Sequence, residues 1–433
     1  MKLNRKAMVL AVGAALAAPG VHAQITSPAG SAWEFYGKIY PELARINGGG
    51  ATPPAGTTIS TLASITNAGR SNLVNRGEML VGNSYIGFRG SKSLGSGLKA
   101  IWQIEQTVPI DEGGSAAADT GTLATRDSFL GVDGGWGTLR LGFMDTPFKR
   151  SGDVLGFLGI SSGNFVQTNP VLRQVGFGQG NNGPSRAARF HERRGNAIDF
   201  ASRTYFGGLQ YLAQYSVGNP SETSKTSGAG AGAGARPLDP RFISMALKWE
   251  SGPWYFAAMH ETHFDMFGGS ANVPAAQKND ADANVNSKDM AAQVTGMFKI
   301  AGHTFEADYI RKSYKENAGK SATPNGRFES YKNNAFMVAW EGRWSNQWRT
   351  AVTYVSANAG TCSLFNAACS TTGLEGKQLS LGGSYYIDPS TYVFLIGSKI
   401  DNGTSARYDN VSNGSPATGE DVKQYALGLA HNF

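Results

Sequence analysis

Sixteen stretches of this chain alternate apolar and polar side chains with a period of two, and the connections between them alternate in length. The stretches lie near 33–45, 78–90, 96–109, 122–134, 137–145, 193–204, 209–217, 240–251, 253–265, 288–300, 303–314, 330–342, 347–358, 375–388, 391–401 and 420–433. Each has the length a tilted strand needs to cross a bilayer. Short turns (Ser91–Gly95, around Gly135, Tyr205–Gly208, Gly252, Ala301-Gly302, Arg343–Asn346 and Asp388-Pro389-Ser390) take turns with long polar loops. A sandwich of two sheets has no reason to sort its connections by length, whereas a barrel with one rim of tight turns and one of long loops does.

The two faces of these stretches differ sharply. Met290, Ala292, Val294, Phe298 and Ile300 oppose Gln293, Thr295 and Lys299. Phe305, Ala307 and Tyr309 oppose Glu306 and Asp308; Tyr211, Ala213, Tyr215 and Val217 oppose Gln210 and Gln214; Leu379, Leu381, Tyr385 and Ile387 oppose Gln378, Ser380 and Ser384. Alternation alone does not say which face points inward, but size does. Sixteen strands enclose more space than side chains fill, so a polar lumen with an apolar exterior is the stable arrangement. The expected fold is all-β, a 16-stranded antiparallel transmembrane barrel. Six of the eight tryptophans (Trp136, Trp249, Trp254, Trp340, Trp344 and Trp348) sit beside short turns, where an aromatic girdle at a membrane interface belongs. Core-filling tryptophans would sit at strand centres, and Trp102 alone does so.

The first 23 residues have the pattern of a secretory signal peptide: Lys2, Arg5 and Lys6, an apolar run from Ala7 to Ala18, and Val21-His22-Ala23 before the expected cleavage between Ala23 and Gln24. Cleavage leaves a 24–433 barrel domain of 410 residues and lowers the formal net charge from +7 to +4. The remaining basic residues are scattered, which argues against a nucleic-acid partner. Past residue 23 no apolar run is long enough for a spanning helix. The two cysteines, Cys362 and Cys369, have six residues between them, in a stretch rich in Asn, Ala, Ser, Thr and Gly; in an exported protein they are expected to form one disulfide.

Several local sequences resemble the trimeric general-diffusion porins of Gram-negative bacteria, particularly those of β-proteobacteria. They are WEFYGK (33–38), SYIGFRGSKSLGSGLKAIWQIE (84–105), RDSFLGV (126–132), WGTLRLG (136–142) and the final YALGLAHNF. The resemblance spans the mature chain. It implies an outer-membrane homotrimer embedded in lipid, reached through the periplasm and inserted by the barrel-assembly machinery, with no cofactor. It also implies that the last strand, whose Tyr425, Leu427, Leu429, His431 and Phe433 share one face, closes the barrel against the first. Tyr425 and the aromatic Phe433 then belong to the closure and assembly signal. In a solvent that offers no hydrogen bonds, closure satisfies every backbone group.

The connection from Thr146 to Glu192 is the longest, and it carries Val154, Leu155, Phe157, Leu158 and Ile160, which a solvated loop would lack. The resemblance makes it the third outer loop, folded into the lumen to narrow it. Its charges are lopsided: Lys149, Arg150, Arg173, Arg186 and Arg189 against Asp153 and Glu192. The resemblance places Lys38, Arg126 and Arg193 or Arg194 on the facing wall, and inward phase adds Arg140. Tyr85 stands where the family commonly has an arginine, and Phe143 follows Gly142 where a Gly-Arg pair is usual. The expected constriction set is therefore Lys38, Tyr85, Arg126, Arg140, Lys149, Arg150, Asp153, Arg193 and Arg194, with Arg173, Arg186 and Arg189 equally compatible with solvated loop surface. A ring of fixed positive charge favours anions.

Metal and phosphate chemistry find little support. The HETH at His260–His263 lacks one residue of a zinc-protease motif, and positions i and i+3 of a strand face opposite ways. The GAGAGAGAR run (228–236) is followed by Pro237 rather than a helix. No nucleophile-and-base signature stands out, and the reading is a non-enzymatic porin for passive diffusion of small hydrophilic solutes and ions, with anion preference. A channel selective for small organic anions is the alternative within that class. Outside it stand a barrel enzyme, typically of fewer strands, and a soluble or adhesive β-protein.

Overall fold

The computed structural model describes residues 25–26, 31–53, 56–81, 84–110, 123–152, 155, 170–178, 189–218, 239–279, 285–317, 325–411 and 414–433. The leader, Ala23 and Gln24 lie outside them, as does the GAGAGAGAR run. Twenty hydrogen-bonded segments form one sheet. They resolve into sixteen spanning strands: β1 (Ser31–Ile39 continued by Glu42–Gly49), β2 (Arg76–Leu80 continued by Tyr85–Gly95), β3 (Leu98–Thr107), β4 (Ser128–Gly134), β5 (Gly137–Asp145), β6 (Arg193–Ser202), β7 (Leu209–Val217) and β8 (Arg241–Ser251) form the first half. The second half comprises β9 (Trp254–Phe264), β10 (Ser287–Ile300), β11 (His303–Glu316), β12 (Phe328–Arg343), β13 (Trp348–Ala357), β14 (Gly376–Tyr386), β15 (Thr391–Asn402) and β16 (Asp421–Asn432). Two short segments, Ile25–Thr26 and Thr361–Leu364, pair antiparallel with β1 and β12.

Each strand pairs antiparallel with the next, and β16 pairs with β1, from Asp421 opposite Gly49 to Gly428 opposite Glu42 and again at Lys38 opposite Asn432. The sheet therefore has no free edge. At the seam Gly37 and Phe433 exchange both backbone hydrogen bonds, at 2.9 and 3.1 Å. The Phe433 ring lies so close over Gly37 that a β-carbon there would stand 2.5 Å from it. Outside the wall Phe433 also meets Phe35 at 5.5 Å. The turn rim is tight: at Ala301-Gly302 both residues have positive φ (47° and 83°), the conformation a two-residue hairpin demands and glycine accepts without strain.

Two strands are broken where the sequence suggested continuity. Pro41 has no N–H for the ladder, and β1 is interrupted at Tyr40-Pro41. Opposite the break, β2 is interrupted before Tyr85, and the Ser84 hydroxyl accepts the Tyr40 N–H at 3.1 Å. The fourth strand begins at Ser128, later than expected, with Ala124 at φ 65°. The first turn is Ser96-Gly97, not Ser91–Gly95. Elsewhere the bounds shift by a few residues at most.

Burial is inverted relative to a soluble protein. Leu381 and Leu395 are 56% and 61% exposed on the outside, while their inward neighbours Gln378, Ser380 and Ser398 are buried. Ser380 and Ser398 share a hydrogen bond of 3.0 Å inside the wall. Glu306 and Asp308 point inward, between the outward Phe305 and Tyr309. At the turn rim Trp254 stands 4.2 Å from Phe298 between ring centroids, and Trp348 stands 4.9 Å from Tyr385. Trp136, Trp254, Trp344 and Trp348 are all exposed there, as a girdle requires. Among the described residues no helix is long and apolar enough to cross a membrane.

A side chain at residue 37 would strike the ring that seals the seam. Gly37→Leu is expected to cost about 1–3 kcal/mol through overpacking, and is read as a lower midpoint of heat-induced unfolding in detergent. An unchanged midpoint would show that the seam does not depend on that contact.

Candidate functional site: the lumen and its inserted loop

The connection after β5 turns inward at once. Thr146 caps a short helix, α1 (Pro147–Ser151), its hydroxyl accepting the Lys149 N–H at 3.3 Å, with Pro147 in the first turn, where a missing N–H costs nothing. The helix docks on inward-facing groups of nearby strands: Phe148 N–H donates to the Ser244 hydroxyl (3.1 Å) on β8, and the Tyr255 hydroxyl donates to the Ser151 carbonyl (2.7 Å) from β9. Leu155 N–H is bound by the Glu306 carboxylate on β11. A second short helix, α2 (Pro170–Arg173), lies against β12 to β14. The buried Lys312 ammonium on β11 donates to the carbonyls of Leu172 (2.7 Å) and Gln174. Gln174 in turn exchanges two hydrogen bonds with the Asp409 backbone, at 3.0 and 3.2 Å, tying this loop to the last one. The loop's two ends meet where Thr146 N–H donates to the Glu192 carbonyl at 3.0 Å.

Apolar contacts complete the docking. Phe177 meets the Tyr331 ring edge-on at 4.9 Å, and Phe190 stacks on His263 at 4.5 Å. Phe177, Phe190, Phe148, Val171 and Leu172 belong to a buried cluster inside the barrel that includes Tyr331 of β12 and runs on to Ile400 of β15, Val422 of β16 and Ile46 of β1. This segment is thus held within the cylinder by inward-facing side chains, chiefly those of β8 to β14.

The expected basic residues fall into three groups. Arg140 on β5 and Arg150 on α1 share the fully buried Asp199 of β6: Arg140 Nε lies 3.0 Å from its Oδ1, and Arg150 Nη2 binds Oδ2. Burial pushes the Arg150 guanidinium below its ordinary range, and the Asp199 charge opposes this. Arg193 pairs with Asp127 and, at 3.0 Å, with Asp145; Lys149 Nζ reaches the same Asp145 oxygen at 2.9 Å. Burial and the Asp145 charge raise the Asp127 carboxyl above its ordinary value, with Arg193 pulling it down. The third group joins Lys38, Tyr85 and Arg126. Lys38 is directly opposite Tyr85 on the neighbouring strand, Arg126 lies 4.9 Å over the Tyr85 ring, and Arg126 is bound to Glu105.

Other expected positions behave differently. Arg194 does not join its neighbour; its guanidinium lies 3.5 Å above the Phe242 ring and is buried there. Arg173 is buried rather than solvated, in contact with His191. Burial, with the Arg173 charge behind it, holds His191 well below the ordinary imidazole range, so its ring is neutral near pH 7. Arg189 pairs with Glu192. Asp153 and Arg186 lie outside the described residues. Cys362 and Cys369 are joined, Cα to Cα 5.8 Å, on the loop rim. His260 and His263 face opposite sides of β9, and no metal-ligand cluster occurs among the described residues.

The residues missed from sequence are the acids. Asp199, Asp145, Asp127 and Glu105 come from the wall or its margin, not from the loop, so the loop bases are partly neutralised. Six cations (Lys38, Arg126, Arg140, Lys149, Arg150, Arg193) stand with four carboxylates. The inward phase of Asp199, between outward Ile198 and Phe200, was the available signal.

The chain matches the family model described as Gram-negative porin over residues 7–433. The major outer membrane protein P.IB of Neisseria gonorrhoeae is 35% identical over 141 residues, which cover 32% of this chain and 35% of that protein. P.IA of Neisseria meningitidis serogroup C is 42% identical over 87 residues, covering 18% and 21%. The chain thus spans about a third or less of the length of these curated relatives. Among solved structures, the anion-selective porin from Comamonas acidovorans aligns over 93% of this chain and 100% of its own, with TM-score 0.65 and 17% identity. OmpF of Salmonella typhi aligns over 94% and 99%, with TM-score 0.56 and 14% identity. At such identities the structural likeness establishes the fold.

Asp199 holds two arginines from different elements. Asp199→Asn is expected to cost about 3–5 kcal/mol, the loss typical of leaving buried charges without their partner, and is read as a large fall in unfolding midpoint. A change below about 1 kcal/mol would mean that water already screens the cluster.

Proposed function

Because the chain belongs to the Gram-negative porin family, we propose that it is an outer-membrane channel for passive diffusion of small hydrophilic solutes and ions, with weak to moderate anion preference. The observation that carries this reading is the inverted barrel with a basic loop folded inside it. Diffusion through such a lumen needs an open cross-section and fixed charge, but no bond-making chemistry. The narrow region is taken to be bounded by α1 and its flanks on one side and by the Lys38, Tyr85 and Arg126 wall on the other. Arg140, Arg150, Arg193 and Lys149 set the potential between them. Within this set of six cations and four carboxylates the balance is positive but modest, and a large selectivity ratio is not expected.

The reading includes export with cleavage between Ala23 and Gln24, and insertion through the barrel-assembly machinery using Phe433 as part of the signal. It also includes assembly as a homotrimer in outer-membrane lipid. The trimer form of Vibrio cholerae OmpT, which shares the fold, supports the last point. A second reading, a channel tuned to small organic anions, is favoured by the stacking of Arg126 on Tyr85.

In a planar bilayer with a KCl gradient, the reversal potential is expected to have the sign of chloride preference; potassium preference would contradict the proposal. The raised Asp127 carboxyl fixes the sign of the pH effect. As pH falls it loses its negative charge before an ordinary aspartate does, so the preference for chloride should grow on acidification. Asp127→Asn should show the higher preference already at pH 7 and a flatter response. An acid-induced shift toward potassium would refute the assignment.

A further inference from the structure

From the turn-rim ends of β13 to β15 and on across β1 and β2, tyrosine rings and cations stand in succession along the inner wall. Arg349, at the start of β13, lies 5.0 Å over the ring of Tyr386, the last residue of β14. The Tyr386 ring stands 4.7 Å from that of Tyr392 on β15. Lys38 Nζ on β1 is 5.6 Å from the Tyr392 ring. Lys38 is then the cross-strand partner of Tyr85, and Arg126 covers the Tyr85 ring at 4.9 Å. All six lie on the inward phase of their strands or at its margin, and all but Tyr392 are only half-buried.

The geometry points to a binding track for aromatic carboxylates, a claim that rests on the anion-channel reading and names the solute class of the same lumen. The chemistry follows from the pairing. A guanidinium has five N–H donors around a planar face, so it can serve more than one carboxylate and match a flat ring. The tyrosines offer further ring faces and edges, arranged for offset or edge contacts. Net charge does not distinguish this band, because Arg126 is bound to Glu105 and Arg349 lies 3.8 Å from Glu341. An aliphatic anion would therefore gain little from it, and a flat aromatic anion would gain along its whole length.

The test is current block of the purified full-length protein in a planar bilayer at pH 7, comparing benzoate with cyclohexanecarboxylate, which has the same charge and a similar size but no π face. Benzoate is expected to block at roughly fivefold lower concentration. Equal blocking concentrations would overturn the track. Replacing Tyr85 and Tyr386 together by leucine keeps both arginines and removes two rings, and should bring the two anions to within about twofold of each other. A double variant that retains the wild-type ratio would also overturn it. Should the variant fail to fold, the comparison on the unaltered protein decides alone. The KCl reversal potential on the same membranes separates the two claims: chloride preference with equal block sinks only the track, whereas potassium preference sinks the reading beneath it.

Discussion

In hydrocarbon an unpaired backbone N–H or C=O costs several kcal/mol, and the rest of this molecule follows from meeting that requirement. Pairing β16 with β1 leaves no unpaired edge. The seam is the most demanding point, because two strands far apart in sequence must meet in register. Gly37 and Phe433 accomplish this with reciprocal hydrogen bonds and a ring laid flat where any side chain would intrude. Closure also fixes the phase of every strand, and with it which side chains meet lipid and which face the lumen.

Once the polar faces are turned inward, the lumen becomes a place where a loop can be held by the wall itself. Ser244, Tyr255, Glu306 and Lys312 each bind backbone atoms of the connection after β5. The loop brings its own apolar residues: Phe177 packs against Tyr331, and Phe190 packs against Tyr314 and against Phe148 of the same loop. Part of the interior is consequently packed like a soluble core, and this asymmetry leaves the facing wall to define the passage. The charged groups there are clamped by one another, Arg140 and Arg150 on Asp199, Arg193 and Lys149 on Asp145. Fixed charge in fixed positions gives a pore its potential without spending solute-binding groups on structure.

The barrel was largely legible in the sequence because period-two alternation reports phase directly. β5 and β7 have the bounds that alternation gave, 137–145 and 209–217. The paired breaks at Tyr40-Pro41 and before Tyr85 were not, since the Ser84 hydroxyl at the second is engaged by the Tyr40 N–H of the neighbouring strand, a contact nothing local reveals. The basic members of the lumen cluster could be read residue by residue, but their partners could not. Asp127 and Asp145 lie far from Arg193 in sequence and meet it only through register. Arg194, adjacent to Arg193, goes to the Phe242 ring because a bulge at Gly142 and Met144 shifts the pairing of β6. Arg173 was equally compatible with the narrowing and with solvated surface, because nothing local reveals that it is buried against His191.

The central claim, an apolar exterior around a wetted interior, is tested most directly by placing single cysteines on β2 at Tyr85, Ile86, Phe88 and Arg89 in reconstituted vesicles and adding a membrane-impermeant thiol reagent. The native Cys362 and Cys369 are joined to each other and do not interfere. The structure predicts labelling at positions 85 and 89, whose side chains face the lumen, and none at 86 and 88. Uniform labelling, or labelling in the opposite phase, would contradict it.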